Sequence, residues 1–138
     1  MRKCAYTTNI QVIIMRDFVK LFKALSDETR LRMLNILLER ECCVCEVMQA
    51  LDISQTRASR NLAALYEAGF LKLRRDGFWS LYSIDMDDMN EFVADLVQAV
   101  TKAMEGNKVL EQDRERLKKA MRVGPSCAEK MRGENTIV

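Results

Sequence analysis

Residues 54–69 have the sequence SQTRASRNLAALYEAG, and this stretch decides the fold. Ser54 is a favourable N-cap and Gly69 suits the left-handed conformation that ends many helices, so a helix is predicted over 54–68. Its first turns are polar, whereas its later turns carry an apolar stripe made of Ala58, Leu62, Ala63 and Leu65. Such a helix packs through its C-terminal half and offers its N-terminal half to the major groove of DNA.

Side chains able to contact DNA lie in the polar half of this helix. Gln55 can pair bidentately with adenine, and Arg57 can do the same with guanine. Ser54, Ser59 and Arg60 suit phosphates or base edges. A solvated amphipathic helix would show the same polar start, so the flanking segments must decide between the two interpretations.

The flanking segments favour DNA binding. Upstream, helical periodicity predicts helices over about 28–39 and 43–51, followed by a tight turn at 52–54. Downstream, alternating runs flank an Asp-Gly pair, which is a strong hairpin signal. Near the hairpin tip are Arg74 and Arg75, where a wing would meet phosphate or the minor groove. This order predicts a winged helix-turn-helix, a mainly α fold with a small β-hairpin.

Further helices are predicted on both sides of this unit, over 10–25, 85–104 and 108–122. The outer helices leave apolar surface for a partner, so we expect a homodimer that forms through the terminal helices. We divide the chain into a flexible N-terminal extension (1–14), a DNA-binding and dimerisation domain (15–105), and a C-terminal helix with its tail (106–138).

The composition limits the function classes. The 138 residues are 49% hydrophobic, with no signal peptide and no apolar run near the ~20 residues that cross a bilayer, so we expect a cytoplasmic protein without membrane contact. The absence of histidine excludes Ser-His-Asp and Cys-His catalysis and mixed Cys/His zinc sites. The net charge is only +2, but a basic region over 54–75 precedes an acidic one over 85–95, which suits one DNA-facing surface.

Five cysteines stand out in a chain expected in a reducing compartment, where clustered thiols indicate metal binding or redox chemistry. Cys42, Cys43 and Cys45 fall within four positions at the predicted start of the third helix, where the helix N-terminus favours the thiolate. Cys4 and Cys127 lie in the terminal segments. Either can supply a third ligand or be an inert thiol.

Helical geometry makes a specific prediction for this cluster. On an intact helix Cys42 and Cys45 share a face, whereas Cys43 and Cys45 point about 200° apart. Cys43 and Cys45 would then bind one ion only if the first turn unwinds. Binding would strain the first helix of the DNA-binding unit, and this strain is a hypothesis for the origin of allostery.

The donor set favours certain ions. Two or three thiolates select thiophilic ions over Mg²⁺, Ca²⁺ or Mn²⁺. Trivalent arsenic and antimony suit three thiolates and need no fourth ligand, whereas Cd²⁺, Pb²⁺ and Zn²⁺ favour a fuller sulfur shell that would require Cys4 and Cys127. We therefore expect As(III) or Sb(III) as the inducer and no organic cofactor.

About half of the chain, over 18–85, resembles the ArsR/SmtB family of metal-sensing repressors. The resemblance rests on FKALSDETRL (22–31), CVCEV (43–47), SQTRASRNL (54–62) and GFW (77–79). It implies a homodimer that binds a double-stranded operator with an inverted repeat and represses its own resistance operon. It also implies that the dimer dissociates from DNA when the metal binds.

The resemblance also assigns part of the ligand set. The family's Cys-Val-Cys motif matches Cys43 and Cys45, but the third cysteine that arsenic-sensing members often carry is replaced here by Met48. Cys4 is similar in placement to the N-terminal ligand of cadmium- and lead-sensing members, and Cys127 to the C-terminal ligands of others. These two and Cys42 are therefore the candidates for the third ligand.

Three alternatives remain open from the sequence. The same scaffold suits a Cd²⁺/Pb²⁺ sensor, or a redox sensor that forms a disulfide among Cys42, Cys43 and Cys45. A small thiol reductase is the alternative from another class, but the cysteines do not follow a strand in a βαβ pattern and no acid or histidine is placed to activate them. We therefore expect a repressor and not an enzyme.

Overall fold

The computed structural model describes residues 15–123, so the N-terminal extension over 1–14, Cys4 and Cys127 lie outside the described residues. Three antiparallel strands form one small sheet in the order β1–β3–β2. No helix within 15–123 has the length and apolar character needed to span a bilayer. The elements are, in chain order, α1 (Met15–Leu25), α2 (Glu28–Glu39), β1 (Cys42–Cys43), α3 (Val44–Leu51), α4 (Gln55–Ala68), β2 (Lys72–Asp76), β3 (Trp79–Ser83), α5 (Glu91–Ala103) and α6 (Lys108–Lys119).

Local capping residues explain where the central helices begin and end. The Asp27 carboxylate accepts the Arg30 N–H at 3.1 Å at the start of α2, and the Ser54 hydroxyl accepts the Arg57 N–H at 3.2 Å at the start of α4. Gly69 ends α4 at a φ of +99°, a conformation that glycine adopts without strain. The predicted bounds of these two helices are confirmed.

The wing is the predicted hairpin. Strands β2 and β3 pair in antiparallel register from Lys72 opposite Ser83 to Asp76 opposite Trp79. Gly77 occupies the turn at a φ of +62°, which explains why an Asp-Gly pair forms it. The wing therefore projects beyond α4 on a two-residue connection.

The predicted helix over 85–104 begins later than its apolar periodicity indicates. The Asn90 side chain accepts the Phe92 N–H at 2.8 Å and caps a helix that starts at Glu91. Before it, the Asp88 N–H bonds back to the Asp85 carbonyl at 3.2 Å in a turn. The prediction was wrong for 85–90 because the apolar spacing continues through a segment whose backbone turns.

The predicted helix over 108–122 ends early, at Lys119. Ala120 is extended, with φ −72° and ψ 142°, and the chain then continues without helical structure through Val123. The Arg40 guanidinium donates to the Leu117 carbonyl at 3.1 Å and satisfies one of the open carbonyls at the end of α6. Residues 120–123 are called the C-terminal arm below.

Helix α6 packs onto the same core as the helix-turn-helix. Leu117 is buried in the main apolar cluster together with residues from α1 to α5. Asp113, one turn earlier, is fully buried and is held by two arginines: Arg32 at 2.8 and 2.9 Å, and Arg116 at 2.7 Å. The same two guanidiniums donate to the last carbonyls of α3, at Leu51 and Ala50. A charged, apolar-poor helix is thus fixed by ion pairs and helix-end hydrogen bonds.

Replacing Asp113 by alanine should lower the free energy of unfolding by about 3 kcal/mol, because it leaves the partly buried Arg32 without its counter-ion. Glu115→Ala, which removes an exposed ion pair with Lys118 on the same helix, is the matched control and should leave the unfolding midpoint unchanged. Urea unfolding followed by circular dichroism measures both. Equal effects of the two substitutions would contradict the role given to Asp113.

Candidate thiol site and DNA-facing surface

The cysteine cluster spans the junction between a strand and a helix. Cys42 and Cys43 form β1 and pair with Tyr82 and Leu81 of the wing strand β3, whereas Cys45 is the second residue of α3. The predicted helix over 43–51 is confirmed within one residue, with Cys43 as its N-cap, but the expectation that Cys42 follows the geometry of this helix was wrong. The pairing with β3 extends their backbone, so Cys42 and Cys45 do not share a helical face.

The short strand separates Cys42 from the other two cysteines, because successive side chains of a strand point to opposite faces. Cys42 is fully buried in the main apolar cluster, and its burial raises the pKa of its thiol to about 12. Cys43 and Cys45 lie in a second buried cluster with Leu81. The structure thus brings together two of the three neighbouring cysteines.

The sulfur atoms of Cys43 and Cys45 lie 3.0 Å apart. This is possible because Cys43 is the N-cap of α3, with an extended backbone at φ −88° and ψ 173°, so the helical angle of about 200° does not apply to the pair. Two sulfurs bound to one tetrahedral metal at about 2.3 Å each lie roughly 3.8 Å apart. The pair approaches that separation without any unwinding of α3, and the unwinding hypothesis loses its basis.

Glu46 holds this junction together. It sits three residues after the N-cap and completes a capping box, in which its carboxylate accepts the Cys43 N–H at 2.9 Å. Arg40 and Arg122 bind the same carboxylate at 2.7 and 3.1 Å. Burial opposes ionisation of Glu46, but the hydrogen bonds from the Cys43 amide and the two arginines outweigh it and lower its pKa.

The C-terminal arm lies over the start of α3. The side-chain amide of Gln49 donates to the Met121 carbonyl at 2.8 Å and accepts the Met121 N–H at 3.1 Å. The Cys45 sulfur is 3.7 Å from the same carbonyl oxygen, and Val123 packs against the Cys43–Cys45 cluster. The chain therefore passes directly beside both sulfurs at the point where the described residues end.

Burial, backbone N–H groups and the Glu46 carboxylate all act on the pKa of the Cys43 thiol, and the carboxylate adds to the rise caused by burial. Burial raises the pKa of this thiol, and the backbone N–H groups of Cys45 and Glu46 at the start of α3 oppose the rise without cancelling it. Trp79, the only tryptophan of the chain, packs on the same cluster. Within residues 15–123 its buried indole N–H has no hydrogen-bond partner.

The predicted DNA-contacting side chains of α4 lie on its exposed start. Ser54, Gln55, Arg57 and Arg60 are exposed and Ser59 is half-buried. Three members of the predicted apolar stripe, Ala58, Leu62 and Leu65, are buried in the core, whereas the prediction was wrong for Ala63, which is exposed. One nitrogen of the Arg57 guanidinium donates to the Thr29 hydroxyl of α2 at 2.8 Å. This hydrogen bond orients Arg57 and leaves its other donors for a base or a phosphate.

The two wing arginines have different surroundings. Arg74 forms a bidentate ion pair with Glu41, both distances being 2.7 Å, and so ties β2 to the residue before β1. Arg75 is the next residue along β2, so its exposed side chain points to the other face of the strand. Of the two arginines predicted to meet phosphate or the minor groove, Arg74 is already paired with a carboxylate.

Comparison with known proteins identifies the family. A model of the bacterial regulatory protein arsR family matches residues 27–72. An arsenic resistance transcriptional regulator of Pseudomonas putida is 41% identical over 83 residues, which are 59% of this chain and 71% of that protein. The chain belongs to the arsR family. Its fold and relatives are those of DNA-binding transcriptional regulators and not of enzymes.

Other arsR-family relatives differ in the metal their names give. A second arsenic resistance regulator of Pseudomonas putida is 53% identical over 64 residues, covering 46% of this chain and 50% of that protein. A cadmium resistance regulatory protein homolog of Staphylococcus aureus is 40% identical over 78 residues, covering 56% and 64%. The chain thus spans about half to two thirds of the length of these two relatives. The matched lengths leave much of this chain without a counterpart.

The winged helix-turn-helix fold of this arsR-family chain is confirmed by solved structures. A homodimeric winged helix-turn-helix domain from Mycobacterium bovis, described as a possible ArsR-family regulator, superposes with a TM-score of 0.57 at 30% identity. The match covers 68% of this chain and 83% of that domain.

Sequence reasoning missed three residues of the arsR-family chain that shape the thiol site. Glu46 had a signal, because Cys43-x-x-Glu46 has the spacing of a capping box with cysteine in place of serine. Gln49 had none, since its partner is 72 residues away. Trp79 was noted only as part of the GFW motif, because the cysteine cluster it packs against is distant in sequence.

Replacing Glu46 by glutamine should lower the free energy of unfolding by about 2–3 kcal/mol at neutral pH, because two arginines lose a buried counter-ion. The folded state lowers the pKa of Glu46 below its ordinary value of 4.5, so its contribution is complete above that value and is lost as the pH falls through the folded pKa. The free energies of unfolding of the wild type and the glutamine variant, measured by denaturant titration at pH 7 and at lower pH, should therefore approach each other as the pH falls. A difference that stays constant with pH would exclude this role.

Proposed function

We propose that this arsR-family protein is a homodimeric repressor of a metalloid-resistance operon and that As(III) or Sb(III), bound by Cys43 and Cys45, releases it from its operator. The observation that carries the proposal is the 3.0 Å approach of these two buried sulfurs beside the wing. The names of the arsenic resistance relatives support the choice of ion. We place the protein in the cytoplasm, a compartment that keeps thiols reduced.

The third ligand in this proposal is Cys127 of the same subunit. No group of three or more metal-binding side chains occurs within residues 15–123, and we therefore propose a third ligand from a terminal segment. Val123 packs against the pair, and four further residues reach at most about 14 Å. We leave Cys42 out of the proposed ligand set, and its burial in the main core on the other face of β1 supports this choice. Cys4 remains the competing ligand.

The chemistry of arsenous acid suits a buried thiol with a raised pKa, as at Cys43. When As(OH)₃ reacts with three thiols, three As–O bonds break, three As–S bonds form, and the thiol protons leave in three water molecules. No net proton is released, and arsenic stays trivalent. A divalent ion such as Cd²⁺ must instead expel the thiol protons into solution, which a raised thiol pKa opposes.

The position of the pair supplies a route to DNA. Cys43 of β1 pairs in antiparallel register with Leu81 of the wing strand, and Cys45 belongs to the first helix of the helix-turn-helix. An ion that draws the two sulfurs and a third ligand together acts on both elements. Release then follows from a shift of the wing relative to α4, and not from an unwound helix.

Dimerisation in the proposal uses α1. Met15, Val19 and Phe22 form an exposed apolar stripe at helical spacing on this helix. Phe18 on the same helix packs edge-to-face on Phe92 of α5, with ring centroids 5.1 Å apart. This contact holds the helix that carries the stripe against α5. Two copies of α4 then meet an inverted-repeat operator with matching two-fold symmetry.

Cys43→Ser and Cys45→Ser should each retain operator binding and lose release by As(III), because each removes a ligand without touching α4. Cys42→Ala is the control: it should destabilise the fold by about 1–2 kcal/mol and leave release intact. Fluorescence anisotropy of a labelled DNA fragment from upstream of the gene, titrated with arsenite under reducing conditions, measures both properties. Normal release from both serine variants would exclude the site. Release by Cd²⁺ or by oxidant alone would favour the cadmium or redox alternative.

Arg57→Ala should weaken binding to the operator by about 1–3 kcal/mol, because Arg57 at the exposed start of α4 is placed to contact a guanine. The same titration with random-sequence DNA is the control and should show a smaller loss. A loss of equal size on both DNAs would make Arg57 a phosphate contact.

A further inference from the structure

The end of α1 is joined to the middle of α4 by two polar side chains that the proposed mechanism does not use. We propose that Arg30 and Asn61 are positioning residues: they fix α4 relative to α1, and so set the spacing of the DNA half-sites that the dimer accepts. The inference rests on the proposed homodimer, in which α1 lies at the interface. It goes beyond that proposal by assigning the choice of half-site spacing to this pair.

Arg30, on α2, binds the C-terminal end of α1. Its Nε donates to the Ala24 carbonyl at 2.6 Å, and one terminal nitrogen donates to the Lys23 carbonyl at 3.3 Å. Both carbonyls lie in the last turn of α1, where a helix needs hydrogen-bond donors from outside it. Because the guanidinium is planar and holds its donors in a rigid fork, the two bonds to α1 also fix the direction of the remaining nitrogen.

The remaining nitrogen of this guanidinium reaches α4. It donates to the side-chain oxygen of Asn61 at 2.9 Å, and the side-chain nitrogen of Asn61 donates to the Arg57 carbonyl at 2.8 Å. Asn61 is only 8% exposed, so water competes little for either bond. The end of α1 is therefore connected through two side chains to the backbone of the turn of α4 that carries Arg57.

The side chain of Arg57 is held by the same part of α2. Its guanidinium donates to the hydroxyl of Thr29, which is buried and directly precedes Arg30. The backbone and the side chain of the proposed guanine contact are thus both fixed by adjacent residues of α2. Because one of these two residues also binds the end of α1, a movement of α1 is transmitted to the start of α4.

The position of α1 matters because the proposed dimer forms through it. Phe22 of the exposed stripe directly precedes Lys23, whose carbonyl Arg30 binds. In a two-fold symmetric dimer joined through α1, the angle between α1 and α4 decides how far apart the two copies of α4 lie and how they are rotated. Half-sites lie about one helical turn of DNA apart, and each added base pair separates them by about 3.4 Å more. A loosened link therefore relaxes the required spacing.

Two operators of different spacing test the link. The purified full-length wild type selects an operator from a pool of random DNA, and the second operator carries one extra base pair between the half-sites. Fluorescence anisotropy measures the binding of both, and of random-sequence DNA, by the wild type and the variants. Asn61→Leu keeps the approximate volume without the hydrogen bonds, Arg30→Lys keeps the charge without the fork, and Asn61→Asp keeps the acceptor for Arg30. Ala63→Ser, at an exposed position of α4, is the matched control.

The preference for the selected operator over the lengthened one should fall about tenfold in Asn61→Leu and in Arg30→Lys, as expected for lost hydrogen bonds between the helices, while binding to random DNA stays the same. Asn61→Asp and Ala63→Ser should keep the preference of the wild type. An unchanged preference in Asn61→Leu or Arg30→Lys, or a lost one in Asn61→Asp, would overturn the inference. A wild type that shows no preference for spacing, or that elutes as a monomer, would instead overturn the proposed dimer, so the two failures are distinguishable.

Discussion

The thiol site depends on the hydrogen bonds and ion pairs made by the buried carboxylate of Glu46. One side chain caps α3 at Cys43, pairs with Arg40 at the end of α2, and binds Arg122 of the C-terminal arm. Burying a carboxylate is costly, and here the cost is offset by an amide and two guanidiniums that converge on it. Because these partners come from three separate segments, a single charge sets how the strand, the helix and the arm meet.

That arrangement explains why two cysteines separated by one residue can act together. The N-cap backbone of Cys43 is extended by its pairing with Leu81, and the capping box then starts the helix that carries Cys45. The sulfur pair is formed by the fold before any ion binds. Because the two sulfurs are already close together, binding an ion costs less conformational entropy at this pair. The affinity then depends mainly on the position of the third ligand.

The same pairing gives the site access to the DNA-binding elements. The wing strand β3 is flanked by β1, which carries Cys43, and by β2, which carries Arg74 and Arg75. The Glu41–Arg74 ion pair adds a second link between the site's strand and the wing. A displacement of β1 therefore moves the wing directly, because β1 is paired with β3. Helix α3 transmits the same displacement to the turn before α4.

The elements predicted well from sequence were those with local signals. Asp27, Ser54 and Gly69 mark helix ends within a few residues, and an Asp-Gly pair marks the wing turn, so α2, α4 and the hairpin were predictable. Strand β1 was not, because two residues form a strand only through a partner about 40 positions away. The arm over the thiol site was missed for the same reason, since it is defined by contacts of Gln49 and Glu46 across more than 70 residues.

The central claim is that Cys43 and Cys45 supply two sulfur ligands for arsenic and that Cys127 in the C-terminal segment supplies the third. X-ray absorption at the arsenic edge tests it most directly, on arsenite-loaded wild type and on Cys127→Ser. The account predicts a shell of three sulfurs in the wild type, and of two sulfurs and one oxygen in Cys127→Ser. Three sulfurs in both proteins, or an oxygen retained in the wild type, would contradict it.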